Sequence, residues 1–146
     1  MATAYGVAGA VASLASALRG GLAECTVFVQ GCGKVGGTAA RLLAAAGATV
    51  LASDLVAGRV AGAVPGATDV SHLPWTDVEA DIFCPCAASG VITPLAAAAM
   101  RQRAVCGSAN VPFTTAGALR AAAARGIVFV VRDDPAQKRG ITFFCP

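Results

Sequence analysis

Charge is scarce in this chain: only 13% of its 146 residues are Asp, Glu, Lys or Arg, and none lies between Ala2 and Leu18. The net charge of +3 comes from scattered Arg and Lys residues, with no basic run and no interleaved aromatics, so a nucleic-acid partner has no footing. His72 is the single histidine, and the six cysteines lack paired metal-ligand spacing, which argues against a zinc site. The uncharged N-terminal stretch has no basic region before it, and Thr3, Gly6, Gly9, Ser13 and Ser16 dilute its hydrophobicity. A signal peptide or membrane span is therefore not expected. Length is also short: one domain with a sizeable core fits 146 residues, and a two-domain enzyme does not.

What is abundant is small and apolar. Hydrophobic residues reach 56%, against roughly 45–50% in ordinary soluble domains, much of the excess being alanine. Some of that surface is expected to meet a second copy of the chain or a partner domain. Cysteines in apolar strand-like segments suit buried thiols in a reducing cytoplasm.

The chain is organised around Cys25-Thr-Val-Phe-Val-Gln-Gly-Cys-Gly-Lys-Val-Gly-Gly37. Thr26 to Gln30 is β-branched and aromatic and reads as a buried strand; Thr38 to Ala46 is rich in helix formers. Between them stands Gly31-x-Gly33-x-x-Gly36. Gly31 permits a tight turn, Gly33 lets a pyrophosphate approach the backbone, and Gly36 lets the helix pack on its strand. The helix N-terminus then offers amide donors and a positive dipole end. Ala48 to Ser53 reads as a second strand ending at Asp54, about 20 residues beyond the fingerprint, where an acid accepts hydrogen bonds from the adenosine ribose. An Asp there favours NAD over NADP, although an N-cap of the following helix would also explain it. Lys34 either faces the pyrophosphate or is a solvated surface lysine.

Alternating strand and helix patterns continue. Val7, Val11, Leu14 and Leu18 form one stripe of a buried helix ending at Gly20-Gly21. Leu55 to Ala63 suggests a short helix, Gly66 to Val70 a weak third strand, and Asp81 to Cys86 a fourth that opens into Ala87-Ala-Ser-Gly90. A helix starts at Thr93-Pro94 and runs to about Met100, Ala104 to Gly107 is a fifth strand, Thr114 or Thr115 caps a helix through Arg125, and Ile127 to Val131 is a sixth strand. The fold class expected is α/β: a Rossmann-type doubly wound, mostly parallel sheet of about six strands with helices on both faces. Asn110, at a strand's carboxyl end, could bind a sugar hydroxyl or a carboxamide, or form an Asx turn. His72 has no nucleophile or carboxylate partner in sequence, and Trp75 is expected to pack. For Cys84-x-Cys86, no neighbouring cation or helix signal argues for a lowered thiol pKa.

Four segments, in order and spacing, resemble the C-terminal domain of the glutamate/leucine/phenylalanine/valine dehydrogenases. They are Thr3-Ala-Tyr-Gly-Val7, Val29 to Gly36, Asp81-Ile-Phe-Cys-Pro-Cys-Ala87 and Gly107-Ser-Ala-Asn110. Pro-Cys-Ala and Gly-Ser-Ala-Asn resemble the leucine, phenylalanine and valine branch more than the glutamate branch. The resemblance implies reversible oxidative deamination of an L-amino acid with NAD. It implies that Gly31, Gly33, Lys34, Val35 and Gly36 hold the pyrophosphate and that Asp54 holds the adenosine ribose. Cys86, Ala87, Asn110 and Thr3 would then flank the nicotinamide end.

Two departures shape the expectation. Met1 stands almost at the start of the family's second domain, so the first, with its catalytic lysines and aspartate, is expected to be absent. From about residue 132 the chain also diverges from the family pattern. Residues 1–146 are thus read as one NAD-binding domain, with no catalytic residue of its own and no turnover alone. The alternatives are a non-catalytic NAD-binding module or another Rossmann oxidoreductase.

Overall fold

The computed structural model describes residues 2–109, 112–131 and 142–144. Its centre is β1 (Thr26–Gln30), whose Val27, Phe28 and Val29 are all buried, because neighbours cover both faces of the sheet. β1 pairs in parallel with β2 (Thr49–Ser53) on one side and with β4 (Ile82–Pro85) on the other. β3 (Thr68–Asp69) extends the first side; β5 (Ala104–Val105) and β6 (Val128–Val131) extend the second. The order 3-2-1-4-5-6 is that of a doubly wound sheet, which reverses direction between β1 and β4. A seventh strand absent from the sequence reading, β7 (Thr142–Phe144), pairs antiparallel with β6.

Alternate residues along the strands feed two cores. On one face Val27, Val29, Val50, Ile82 and Cys84 pack with Val7, Val11 and Leu14 of α1 (Ala2–Arg19) and Ala39, Ala40 and Leu43 of α2 (Lys34–Ala45). On the other, Phe28, Phe83, Val105 and Phe129 meet Ala97 of α4 (Pro94–Ala99) and Ala118 and Ala122 of α5 (Ala116–Ala124). Burying these side chains at about 25 cal/mol per Å² of apolar surface is the main force holding the layers together. Alanine dominates the helix faces, which lets helices sit close to the sheet.

The two later helices begin as their sequences suggest. Thr93 Oγ1 accepts from the Ala96 N–H with Pro94 in the first turn, and Thr115 Oγ1 accepts from the Ala118 N–H. The helix expected over Leu55 to Ala63 is shorter: α3 spans Arg59–Ala63 and is preceded by Gly58 in the left-handed region at φ 79°. Residues 55–58 form a bend and a turn, because the Asp54 side chain takes the Val56 N–H and bends the chain there. No helix among the described residues is long and apolar enough to cross a membrane.

Candidate functional site

The bend between β1 and α2 shows why glycine stands at two of its positions. Gly31 has φ 92°, and a Cβ there would lie 2.7 Å from the Ala87 Cβ; one on Gly36 would lie 1.8 Å from the Gly31 carbonyl oxygen. Both glycines are therefore fixed by packing: the end of β4 sits on the bend, and α2 sits on the bend's own backbone. Gly33 is different. Nothing lies within 4 Å of where its Cβ would stand, so its backbone borders open space at the start of α2. The first N–H groups of α2 lack intrahelical acceptors and carry the positive end of the helix dipole.

Beside this bend runs a groove of about 640 Å³ along the carboxyl ends of β1, β2 and β4. Gly31, Gly33, Asp54, Cys86 and Ala87 all line it, so five residues singled out from the sequence come together. Lys34 is exposed in the first turn of α2 outside the lining, and Val35 and the buried Gly36 stand behind it. Thr3 lies in the first turn of α1 and does not line the groove either. Asn110 lies outside the described residues.

Asp54 is turned toward the bend. Its Oδ2 accepts from the Cys32 N–H at 2.8 Å, its Oδ1 accepts from the Val56 N–H at 2.8 Å, and the Arg59 guanidinium stands 3.6 Å away. It does not cap α3, whose N-cap is Gly58. Burial by itself would raise the carboxyl's pKa; the Val56 and Cys32 amides and then Arg59 outweigh it, and the net position is below the ordinary 3.8. The side chain is only 7% exposed, so it is held as a carboxylate in a fixed place. The same charge, after burial, keeps the Cys32 thiol protonated with its pKa pushed up to about 11. Arg59 brings a positive charge to this corner that its sequence separation from Asp54 did not announce.

Several groove residues carried no sequence signal. Ser71 Oγ accepts from the Asp54 N–H at 3.0 Å and, through Asp69, ties the end of β3 to the end of β2. Leu55, Val56 and Leu73 form an exposed apolar rim beside Asp54. Trp75 lines the groove while stacking on Phe83 at 4.5 Å, so the chain's single tryptophan reports on this space.

The Cys84-x-Cys86 pair overturns an expectation. The two Sγ atoms are 3.7 Å apart; hydrogen bonding from Cys84, then from Ser108, outweighs burial and pulls the Cys86 thiol down to about 6. Cys84, fully buried and hydrogen-bonded to Cys86, is pushed well up and keeps its proton. The lowering comes from a thiol and a β5-end serine, neither of them the cation or helix that sequence reading looks for.

A glycine-bend groove at the switch point of a 3-2-1-4-5-6 sheet defines a Rossmann-type α/β domain. Residues 1–64 match the family model described as Glutamate/Leucine/Phenylalanine/Valine dehydrogenase. Phenylalanine dehydrogenase of Bacillus thermotolerans is 31% identical over 115 residues, covering 74% of this chain and 30% of that protein. Among solved structures, L-tryptophan dehydrogenase from Nostoc punctiforme superposes with a TM-score of 0.80 at 24% identity, over 88% of this chain and 41% of that one. Hetero-hexameric glutamate dehydrogenase from Thermus thermophilus gives 0.68 at 20% identity, over 88% and 35%. The chain is thus similar to this family of amino acid dehydrogenases, and it spans under a third of the curated relative's length.

Proposed function

We propose that this chain is the NAD-binding half of an L-amino acid dehydrogenase of the leucine/phenylalanine/valine type. The observation that carries the reading is the pairing of an open Gly33 backbone with a fixed Asp54 carboxylate along one groove. A nicotinamide cofactor held along this groove would supply the hydride acceptor for oxidation at the amino acid Cα.

The chain's own residues bind and orient. Amides of Gly33, Lys34, Val35 and Gly36 at the start of α2 hold the pyrophosphate, and Gly31 shapes the bend beneath it. Asp54 accepts from the ribose hydroxyls, while Leu55, Val56 and Leu73 exclude water around the adenine end. Cys86 and Ala87, at the end of β4, border the nicotinamide end, with Asn110 and Thr3 assigned there by family resemblance. Residues 1–146 act as one domain, in the cytoplasm, against a second copy or a partner domain that completes the cleft.

The chain's two lysines are Lys34 and Lys138, and Lys34 is exposed at the start of α2, so no catalytic residue is assigned within the groove. Turnover by the isolated chain is therefore expected to be negligible, since proton transfer needs a positioned acid and base. Titration with NAD, read by Trp75 fluorescence and by calorimetry, should show saturable binding without NADH formation from leucine, phenylalanine or valine. No binding would sink the cofactor assignment; steady NADH production would sink the assignment of chemistry to another domain. Arg59, 3.6 Å from Asp54, is the one observation favouring the 2′-phosphorylated cofactor. A parallel NADP titration decides, tighter binding of NADP overturning the NAD reading.

A further inference from the structure

We propose that Cys84 and Cys86 form a dithiol modification site at the groove, in which Cys86 reacts with a hydroperoxide and Cys84 closes a disulfide onto it. Cys84 is the third residue of β4 and Cys86 follows its last, so the two side chains project to the same face, one residue to either side of Pro85. Their sulfurs already touch at 3.7 Å. Cys84 has no exposed surface, whereas Cys86 lines the groove and is reachable by a small peroxide. Reactive thiols are thiolates in partly exposed settings, and the Cys84 and Ser108 hydrogen bonds hold Cys86 in that state near neutral pH.

The chemistry balances with one hydroperoxide as oxidant. The Cys86 thiolate attacks one peroxide oxygen and the O–O bond breaks. The other oxygen leaves as hydroxide and takes a proton, giving water from hydrogen peroxide and a sulfenic acid on Cys86. The Cys84 sulfur then attacks the Cys86 sulfur; an S–S bond forms, the S–O bond breaks, and the departing hydroxide takes the Cys84 proton. Two thiols and one peroxide become one disulfide and two waters, the sulfurs oxidised and the peroxide reduced.

Residues two apart along an extended chain have Cα atoms about 6.6 Å apart, near the upper end of the span a disulfide bridges. The bond formed is therefore readily reduced by a small dithiol, which gives up two electrons and two protons and leaves as its own disulfide. Its consequence for the bend is steric. A Cβ on Gly36 would already lie 2.9 Å from the Cys86 Cβ, so the end of β4 has no slack against α2's first turn. Drawing the Cys86 sulfur toward Cys84 moves the floor of the groove. This consequence, unlike the thiol chemistry, rests on the proposed nucleotide function.

The test uses the unmutated full chain treated with a small excess of hydrogen peroxide, followed by alkylation and peptide mapping. The expected product has lost two hydrogens, with the bond mapped between Cys84 and Cys86, and dithiothreitol restores the starting mass. Cys84→Ser should instead accumulate a Cys86 sulfenic acid that dimedone traps, and Cys86→Ser should leave Cys84 unmodified. A bond from Cys86 to Cys32 or Cys106, or Cys86 oxidised no faster than the buried Cys25, overturns the proposal; a margin of about tenfold is expected. Adding NAD at a concentration that saturates the Trp75 signal should slow Cys86 oxidation. Unchanged oxidation under that saturation removes the link to the groove; absence of any Trp75 signal counts against the nucleotide reading alone.

Discussion

The two ends of the six parallel strands have been built differently. At the carboxyl end, around Gly31, Gly33 and Asp54, backbone amides and one carboxylate border a groove of about 640 Å³. At the amino end, a shallower space of about 360 Å³ is lined by Arg19, Glu79, Asp81, Arg101 and Arg103. More formal charge gathers at the amino end, and four of these five side chains pair with one another. Asp81 Oδ2 accepts from the Thr26 N–H at 2.9 Å and its Oδ1 pairs with Arg19 at 3.6 Å, closing the start of β1 onto the start of β4. Arg101 and Glu79 pair at 2.7 Å across the surface. A crowd of charges that answer one another makes a seam; a few donors left facing open space make the site proposed for the nucleotide.

The sharpest way to break this contrast is Gly36→Val. With 1.8 Å between the new Cβ and the Gly31 carbonyl, the bend must open, and a loss of about 3 kcal/mol or more in stability is expected together with loss of nucleotide binding. Thermal melts and NAD titration read the two effects. Asp54→Ala comes next: the lost charge-assisted bonds should weaken NAD by about 1.5–3 kcal/mol, roughly ten- to 150-fold in Kd. Unchanged affinity would mean the groove's carboxylate is as structural as those of the opposite end.

Asp81→Ala should behave in the reverse sense. It frees a half-buried strand-end amide and should cost about 1–2 kcal/mol in denaturant unfolding, while leaving nucleotide affinity as it was. pH gives a smaller effect at the carboxyl end. Because the folded Asp54 carboxyl sits below 3.8, its contribution is present above the unfolded value and fades only as pH falls through the lower, folded one. The Asp54 contribution to NAD affinity should therefore stay level down to about pH 4, and any step near pH 6 would report the Cys86 thiol in the same groove. Last, Arg101→Ala removes half of a pair whose side chains are 55% and 80% exposed, and melts should not register it.

How much of this was legible beforehand depended on distance along the chain. The strand-bend-helix unit is local: β-branched residues, three spaced glycines and an alanine-rich helix announce it within a dozen positions, and the structure has β1 and α2 there. The capped starts of α4 and α5 were equally plain, since Thr93 and Thr115 act on amides three residues on. The late start of the helix expected from Leu55 was not, because Asp54's carboxylate serves both Val56 beside it and Cys32 across the groove. Ser71, Leu73 and Trp75 belong to the groove only because β3 runs beside β2 and the following turn folds back. β7 escaped notice since its partner, β6, lies beyond a segment with no strand pattern.

The sequence by itself determined the alternation of strands and helices, the placing of the glycine bend and the acid that follows it, because periodicity, propensity and steric freedom act between near neighbours. Only the tertiary structure decided which charges answer one another, that Arg59 stands beside Asp54, and that Cys86 carries the more acidic thiol. Those properties depend on burial and on hydrogen-bond partners that different strands deliver, and through-space electrostatics leaves no pattern in residue order.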